Sequence, residues 1–402
     1  MDAAALTKLL SREGWALLGQ LPPYREEDAL RLASGLRERG LDAELVAAAM
    51  TQSRLRARGQ AKFGEFAAGM LFTEAGLEQA TRLAVGAHHA QRFAAAEVRR
   101  VADLGCGIGG DAMAMSALGL PVLAVDQDEM TAAIATVNLR HFPQTTVQQA
   151  DALTLDLTAE GIDAAFVDPA RRTRGGRRVF DPNAYQPTLD EALALGERVD
   201  LGIKVAPGIG HHQLPPDAHA QWVSVDGDVV EAGLWFGRLA PEGPGRSALV
   251  LRDGSPNVLR ESTADGAASA AAPVRAGVVR ELDSYFYEPD GAVIRAGLVA
   301  LAGEQIGAGL VAESIAYLTG PQLHHTPFLH AYRVLDVMPF GLKRLRTYLR
   351  DRQVGIVTIK KRGTAVEPGQ LRQQLSLSGP NTATVILTRI AGRQSVVVVE
   401  PA

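Results

Sequence analysis

The stretch VADLGCGIGGDAMAM, residues 101–115, restricts the fold more than any other part of this 402-residue chain. A short apolar run, a turn holding Gly105, Gly107, Gly109 and Gly110, and a helix-forming tail follow one another. Glycine allows such a turn to take positive φ and lets the backbone come close to a nucleotide-like ligand. The segment therefore predicts the first strand–turn–helix unit of a doubly wound parallel sheet. Gly105, Gly107 and Gly110 also fit the spacing GxGxxG, which by itself does not distinguish one nucleotide from another.

Charge does distinguish them. Asp103 stands at the end of the strand run, where a nicotinamide enzyme would place a pyrophosphate, and an anion there repels it. S-adenosylmethionine carries a cationic sulfonium and an ammonium group, both of which an acid attracts. Two more acids close the next two strand-like runs. Asp126 in VLAVDQD can accept from ribose hydroxyls, and Asp151 in QQADALTL can accept from an adenine amino group. On these residues the chain resembles the class I S-adenosylmethionine-dependent methyltransferases across residues 97–253. Asp103, Gly105, Gly107 and Gly109 match the first motif of that family, Asp126 its ribose-binding acid and Asp151 its adenine-side acid. The resemblance implies an α/β fold with a Rossmann-like seven-stranded core. It also implies a cofactor site completed by Cys106, Gln127, Ala152 and Asp168. Cys106 is the only cysteine, so no internal disulfide can form and a cytoplasmic location is expected. Inside the turn it reads as a small spacer.

The texture of the chain changes around this core. A length of 402 residues predicts two or three domains at roughly 100–200 residues each. Residues 1–75 carry apolar positions at helical spacing, with Gly40 and Gly59 read as helix stops, and predict a helical N-terminal domain. Neither a signal peptide nor a membrane span is expected from the N-terminus, which has an acid at Asp2 and no long apolar run. A methyltransferase domain is expected over 76–258. Its strand candidates are VRRVADL, PVLAVD, TTVQQAD, DAAFVDP, DLGIKVA, QWVSVD and GRSALVLR. The Ala- and Ser-rich stretch RESTADGAASAAAPVRAG reads as a linker. A small α+β domain is expected over 275–402, with a helix after Pro339 and strand-like runs VGIVTIKKRG, TATVILTRIAGR and QSVVVVEPA. The flanks TQSRLRARGQAKFGEF, GLEQATRLAVGAHHAQRF and VGIVTIKKRG resemble those of bacterial methyltransferases that end in a THUMP-like domain. That resemblance implies RNA as the partner, transfer and ribosomal RNA being equally compatible.

Asp168 closes the fourth strand run in VDPARRTRGG, the position from which class I methyltransferases reach the transferred methyl group. Amino-methylating members place there an acid or Asn, then Pro-Pro and an aromatic residue. Asp168 and Pro169 are kept, whereas Ala170 and Arg171 replace the second Pro and the aromatic. A carboxylate in this position can accept from an exocyclic amino group and aim its lone pair at the methyl carbon. DPAR also resembles the DPPR of uridine C5-methyltransferases, but those need a cysteine nucleophile and this chain has none to spare. Ribose 2′-O-methyltransferases use a Lys-Asp-Lys-Glu set. Asp168, Lys204 and Glu231 resemble its last three members, and Lys62 is a remote candidate for the first.

The net charge of −4 gives no general attraction to nucleic acid, but two stretches are basic: 171–178 and 343–362. Arg171, Arg172, Arg174, Arg177 and Arg178 are expected to border the substrate, with Gly175 and Gly176 between them, and Lys360 and Lys361 to contact RNA from the C-terminal domain. No metal is expected, because His211, His212, His324 and His325 have no further ligands at metal-binding spacing. Two rival readings are an RNA-binding protein that kept the fold without the reaction, and a methyltransferase of protein or small molecules.

Overall fold

The computed structural model describes residues 3–170, 181–261 and 269–402. They form two compact units, Met1–Ala206 with Leu234–Pro241, and Pro207–Gly233 with Glu242–Ala402.

The first unit opens with helices α1 (Ala3–Leu10), α2 (Arg12–Gln20), α3 (Glu26–Glu38), α4 (Ala43–Phe63), α5 (Glu74–Gln79) and α6 (Leu83–Ala95). Side chains cap three of their N-termini: Ser11 accepts from the Gly14 amide, Asp42 from Leu45 and Thr73 from Gly76. Gly40 follows α3 with φ 85°, as a helix stop should. Gly59 does not stop a helix. Helix α4 runs through it to Phe63, and Gly64 at φ 55° ends the helix instead. What selects glycine at 59 is space, since a Cβ there would come within 2.9 Å of the Phe72 ring.

The parallel sheet follows: β1 (Val101–Leu104), α7 (Gly110–Ala117), β2 (Val122–Asp126), α8 (Glu129–Leu139), β3 (Thr145–Gln149), β4 (Ala164–Val167), α9 (Leu189–Ala194) and β5 (Asp200–Val205). Strands pair in the order β3-β2-β1-β4-β5, every pair parallel, with Asp103 opposite Ala124 on one side and Phe166 on the other. All residues of β1 and β4 are buried, which is why these strands read as continuous apolar runs rather than alternating ones. Parallel strands bring all their C-terminal ends to one edge, so the glycine turn, Asp126, Asp168 and Lys204 share that edge.

Strands β6 (His219–Val225), β7 (Asp228–Trp235), β8 (Gly245–Arg252) and β9 (Ser255–Arg260) come next. Strand β7 adds Leu234 and Trp235 to the first unit beside β5, while the second unit holds the order β7-β6-β8-β9. Each of the seven strand candidates forms a strand. The run VVEAGLW around Glu231, also expected as a strand, lies in β7, whereas β9 was not anticipated.

The second unit continues with β10 (Tyr285–Pro289), α10 (Gly291–Arg295), α11 (Val299–Gln305), β11 (Gly309–Ala312), β12 (Ile315–Gly320), β13 (Leu329–Pro339), α12 (Leu342–Asp351), β14 (Val354–Lys361), α13 (Pro368–Leu375), β15 (Asn381–Ile390) and β16 (Arg393–Pro401). Its sheet has the order β11-β12-β10-β13-β16-β15-β14, in which β14 and β15 are parallel. The valine run of β16 is buried on both faces. Val396 and Val398 pack with Leu345, Leu349, Leu371 and Leu375 of α12 and α13, and Val397 and Val399 pack with Phe286 and Tyr317. Among the described residues no helix is long and apolar enough to cross a membrane.

Candidate active site

Strand β1 ends at Leu104 and the chain turns through Gly105, Gly107 and Gly109, with φ of 82°, 56° and 88°. A Cβ on Gly105 would lie 2.5 Å from the Asp168 carbonyl oxygen, so glycine there lets β4 close on the turn. Gly107 has open space around it and is required by its φ alone. Asp126 braces this turn: its Oδ2 accepts from the Gly107 amide at 3.0 Å and its Oδ1 from the Asp128 amide at 3.0 Å. Burial pushes its carboxyl above the ordinary value against those two bonds. Gln127 beside it is exposed. Asp151, also exposed, accepts from the Leu153 amide at 3.0 Å and caps a single helical turn that begins at Ala152. Cys106 is buried and burial pushes its thiol up, so it acts as the spacer its position suggests.

Asp103 is more deeply placed than a strand-end anion would be, at 1% exposure. Burial, and then the neighbouring Asp111 and Asp168, raise its carboxyl well above the carboxylate range. Its Oδ2 has no hydrogen-bond partner among the described residues. An orphaned buried carboxyl oxygen, a positive-φ glycine turn and two acids on the following strand ends fit a cationic, ribose-bearing cofactor.

Asp168 follows β4 and is tied to β1 by its amide, which donates to the Leu104 carbonyl at 3.0 Å. Its Oδ2 accepts from Lys204 Nζ at 2.5 Å. Lys204, next to last in β5, is only 3% exposed, whereas the Asp168 side chain is 23% exposed and so faces both the lysine and solvent. Removing one partner of a buried ion pair leaves an uncompensated charge, at a cost of about 3–5 kcal/mol. After Pro169, the Ala170 amide and carbonyl pair with Gln186 at 2.9 and 3.2 Å. Arg171, Arg172, Arg174, Arg177 and Arg178 lie outside the described residues.

Three residues that the sequence reading passed over surround Lys204. The lysine also donates to Thr81 Oγ1 at 2.8 Å, Thr81 donates to Asp111 Oδ2 at 2.6 Å, and Asp111 Oδ1 meets His89 Nδ1 at 2.8 Å. Asp111 stands in the first turn of α7 just after the glycine turn, the one sequence signal that could have pointed to this group.

Lys62, which lies near enough to Lys204 for the two cations to repel, is held by backbone carbonyls. Its ammonium donates to the carbonyls of Leu77, Glu78 and Ala80 at 2.7–2.8 Å and so caps α5, although burial lowers its pKa to about 8. Lys360 and Lys361 belong to the second unit, where Lys360 pairs with Glu288 and Lys361 with Glu367 at 2.5 Å. Glu231 lies buried within β7. His211 Nε2 meets the Arg295 carbonyl at 2.7 Å in a structural contact. Among the described residues no group of three or more His, Cys, Asp or Glu is placed to hold a metal ion.

A glycine turn after the first strand of a parallel sheet, with acids closing the second, third and fourth strand segments, defines an S-adenosylmethionine-dependent methyltransferase. Comparison with known proteins agrees. Two uncharacterised S-adenosylmethionine-dependent methyltransferases of Mycobacterium tuberculosis, from strains CDC 1551 and H37Rv, are each 34% identical over 345 residues, or 84% of this chain and 90% of theirs. The chain belongs to this family of S-adenosylmethionine-dependent methyltransferases. The crystal structure of a candidate methyltransferase from Porphyromonas gingivalis W83 shares the fold, with a TM-score of 0.69 over 95% of this chain and all of that one, at 18% identity. Residues 329–401 match the model described as THUMP domain-like, and residues 2–59 match a domain of unknown function (DUF8688).

Proposed function

We propose that this methyltransferase acts in the cytoplasm on RNA and methylates an exocyclic amino group of a base. The observation that carries the reading is the Asp168 carboxylate, held by Lys204 beside the glycine turn and still partly open to solvent. The THUMP-like segment and the two basic stretches of the sequence support RNA as the substrate. Asp103, Gly105, Cys106, Gly107, Gly109, Asp126, Gln127, Asp151 and Ala152 would hold the cofactor, with Asp168 at its reactive end. S-adenosylmethionine supplies an electrophilic methyl group on a sulfonium, which needs no further activation.

The protein then has to bind and aim the acceptor. Asp168 accepts a hydrogen bond from the amino group, which restricts the rotation of its nitrogen and turns the lone pair toward the methyl carbon. Lys204 keeps the carboxylate in one orientation. Arg171, Arg172, Arg174 and Arg177, which follow Pro169 in the sequence, would hold phosphates of the RNA, and Lys360 and Lys361 would add contacts from the THUMP-like segment. The test is to incubate the protein with S-adenosylmethionine and RNA from cells lacking it, and to digest the product for nucleoside mass spectrometry. A methylated base amino group is the expected product, and transfer to protein with none to RNA would overturn the reading.

The pairing of buried Lys204 with Asp168 favours a second reading, 2′-O-methylation, in which a lysine helps remove the hydroxyl proton. The same digest separates the two, because a ribose methyl group leaves with the sugar and not with the base.

A further inference from the structure

Lys204 has more work in this structure than neutralising one carboxylate. Its ammonium bridges Asp168 and Thr81, and the Thr81 hydroxyl passes on to Asp111, which closes the line on His89. Every group between Asp168 and the His89 ring is buried: Thr81 is 6% exposed, Asp111 6% and His89 3%. Burial favours the protonated form of Asp111, but His89, Lys204 and Thr81 outweigh it and lower its pKa, which favours the carboxylate. The direction of each bond follows from that state. An ionised Asp111 can only accept, so Thr81 spends its one proton on Asp111 and must accept from Lys204. The ammonium is thereby oriented from behind, and its remaining protons can point at Asp168. His89 is wedged in turn, 4.9 Å from the Phe166 ring and 5.5 Å from the Trp235 ring. Close approach of α6 to α7 makes the last link possible, since a Cβ on Gly86 would lie 3.3 Å from Asp111 Oδ1.

We propose that Thr81, Asp111 and His89 are positioning residues for methyl transfer, forming a buried array that sets the direction of Lys204 and through it the carboxylate of Asp168. The proposal rests on the reading of Asp168 as the group that presents the acceptor. All three lie behind Lys204 as seen from Asp168, so their proposed effect on the acceptor passes through Lys204. A hydrogen-bonded array of this kind is cooperative, and losing one link disturbs the far end.

Two pairs of variants test it. Thr81→Val keeps the side-chain shape and removes the hydroxyl, whereas Thr81→Ser keeps the hydroxyl. His89→Phe keeps the ring contacts and removes the donor, whereas His89→Asn places an amide nitrogen where Nδ1 stood. With RNA from cells lacking the protein as acceptor, Thr81→Val and His89→Phe should lower kcat about tenfold or more while cofactor Kd and RNA KM stay within about twofold. Thr81→Ser and His89→Asn should recover at least half of the lost rate. A His89→Phe enzyme with unchanged kcat would overturn the proposal, as would parallel losses of kcat, cofactor affinity and Tm in all four variants. Should Thr81→Val fail to fold, the His89 pair decides alone. A second readout needs no substrate: carbon-13 labelling of the aspartate carboxyls, with the Asp168 signal assigned through Asp168→Asn. His89→Phe should shift that signal and His89→Asn should not, and an Asp168 signal indifferent to both overturns the array. If the wild-type protein transfers no methyl group to RNA, the functional reading fails, and the carboxyl signal still judges the array.

Discussion

Three aspartates of one site live in three environments, and their variants should behave differently. Asp126 braces the Gly107 amide and is proposed to hold the cofactor, so Asp126→Ala should abolish S-adenosylmethionine binding measured by calorimetry. Retained affinity would remove it from the site. Asp168→Ala should leave cofactor affinity within about twofold and lower kcat by at least about a hundredfold, which separates aiming from binding. Full turnover would sink the proposed role. Burial pushes the Asp103 carboxyl well above its ordinary value, and a cationic ligand favours its ionised form. Binding therefore releases a proton, and affinity rises with pH until Asp103 is already ionised when the ligand arrives. Calorimetry in buffers of different ionisation enthalpy should show this release, and buffer-independent heats would refute it.

At the scale of the element, two glycines that look alike in the sequence have opposite effects. Gly59→Ala pushes a methyl group to 2.9 Å from Phe72, an overpacking that costs about 1–3 kcal/mol and outweighs the gain in helix propensity. Gly35 in α3 has nothing within 4 Å of the same Cβ, and Gly35→Ala should gain up to about 1 kcal/mol. Urea unfolding of both variants would show the contrast. The error over Gly59 is instructive, because local propensity reads a helical glycine as a stop and cannot see a ring packed from elsewhere in the chain. The parallel strands were legible because burial on both faces makes them plain apolar runs, as in AAFV of β4. Strand β9, SPNVLR, was not, because of its polar face. The cofactor turn and its acids were legible because they are local. Thr81, Asp111 and His89 were not, because their links to one another and to Lys204 span 22 to 123 residues of sequence.

For the molecule as a whole, RNA binding should depend on which cations are already neutralised. Lys360 and Lys361 each carry an acid partner, whereas Lys343 and Arg344 stand exposed on α12, opposite Leu345 and Leu349. Lys343→Glu with Arg344→Glu should therefore weaken RNA affinity more than Lys360→Ala with Lys361→Ala, and should flatten the fall of affinity with added salt. Filter binding at several salt concentrations would measure both, and equal slopes for the α12 variant and the wild type would count against that helix. The return of β7 into the first unit bears on a different question. Trp235 stacks on Phe166 at 5.7 Å and covers Gly202, yet it is synthesised after the chain has already entered the second unit at Pro207. No single cut in the chain separates the two units. On the ribosome, its last aromatic layer closes only once residue 235 has emerged from the exit tunnel.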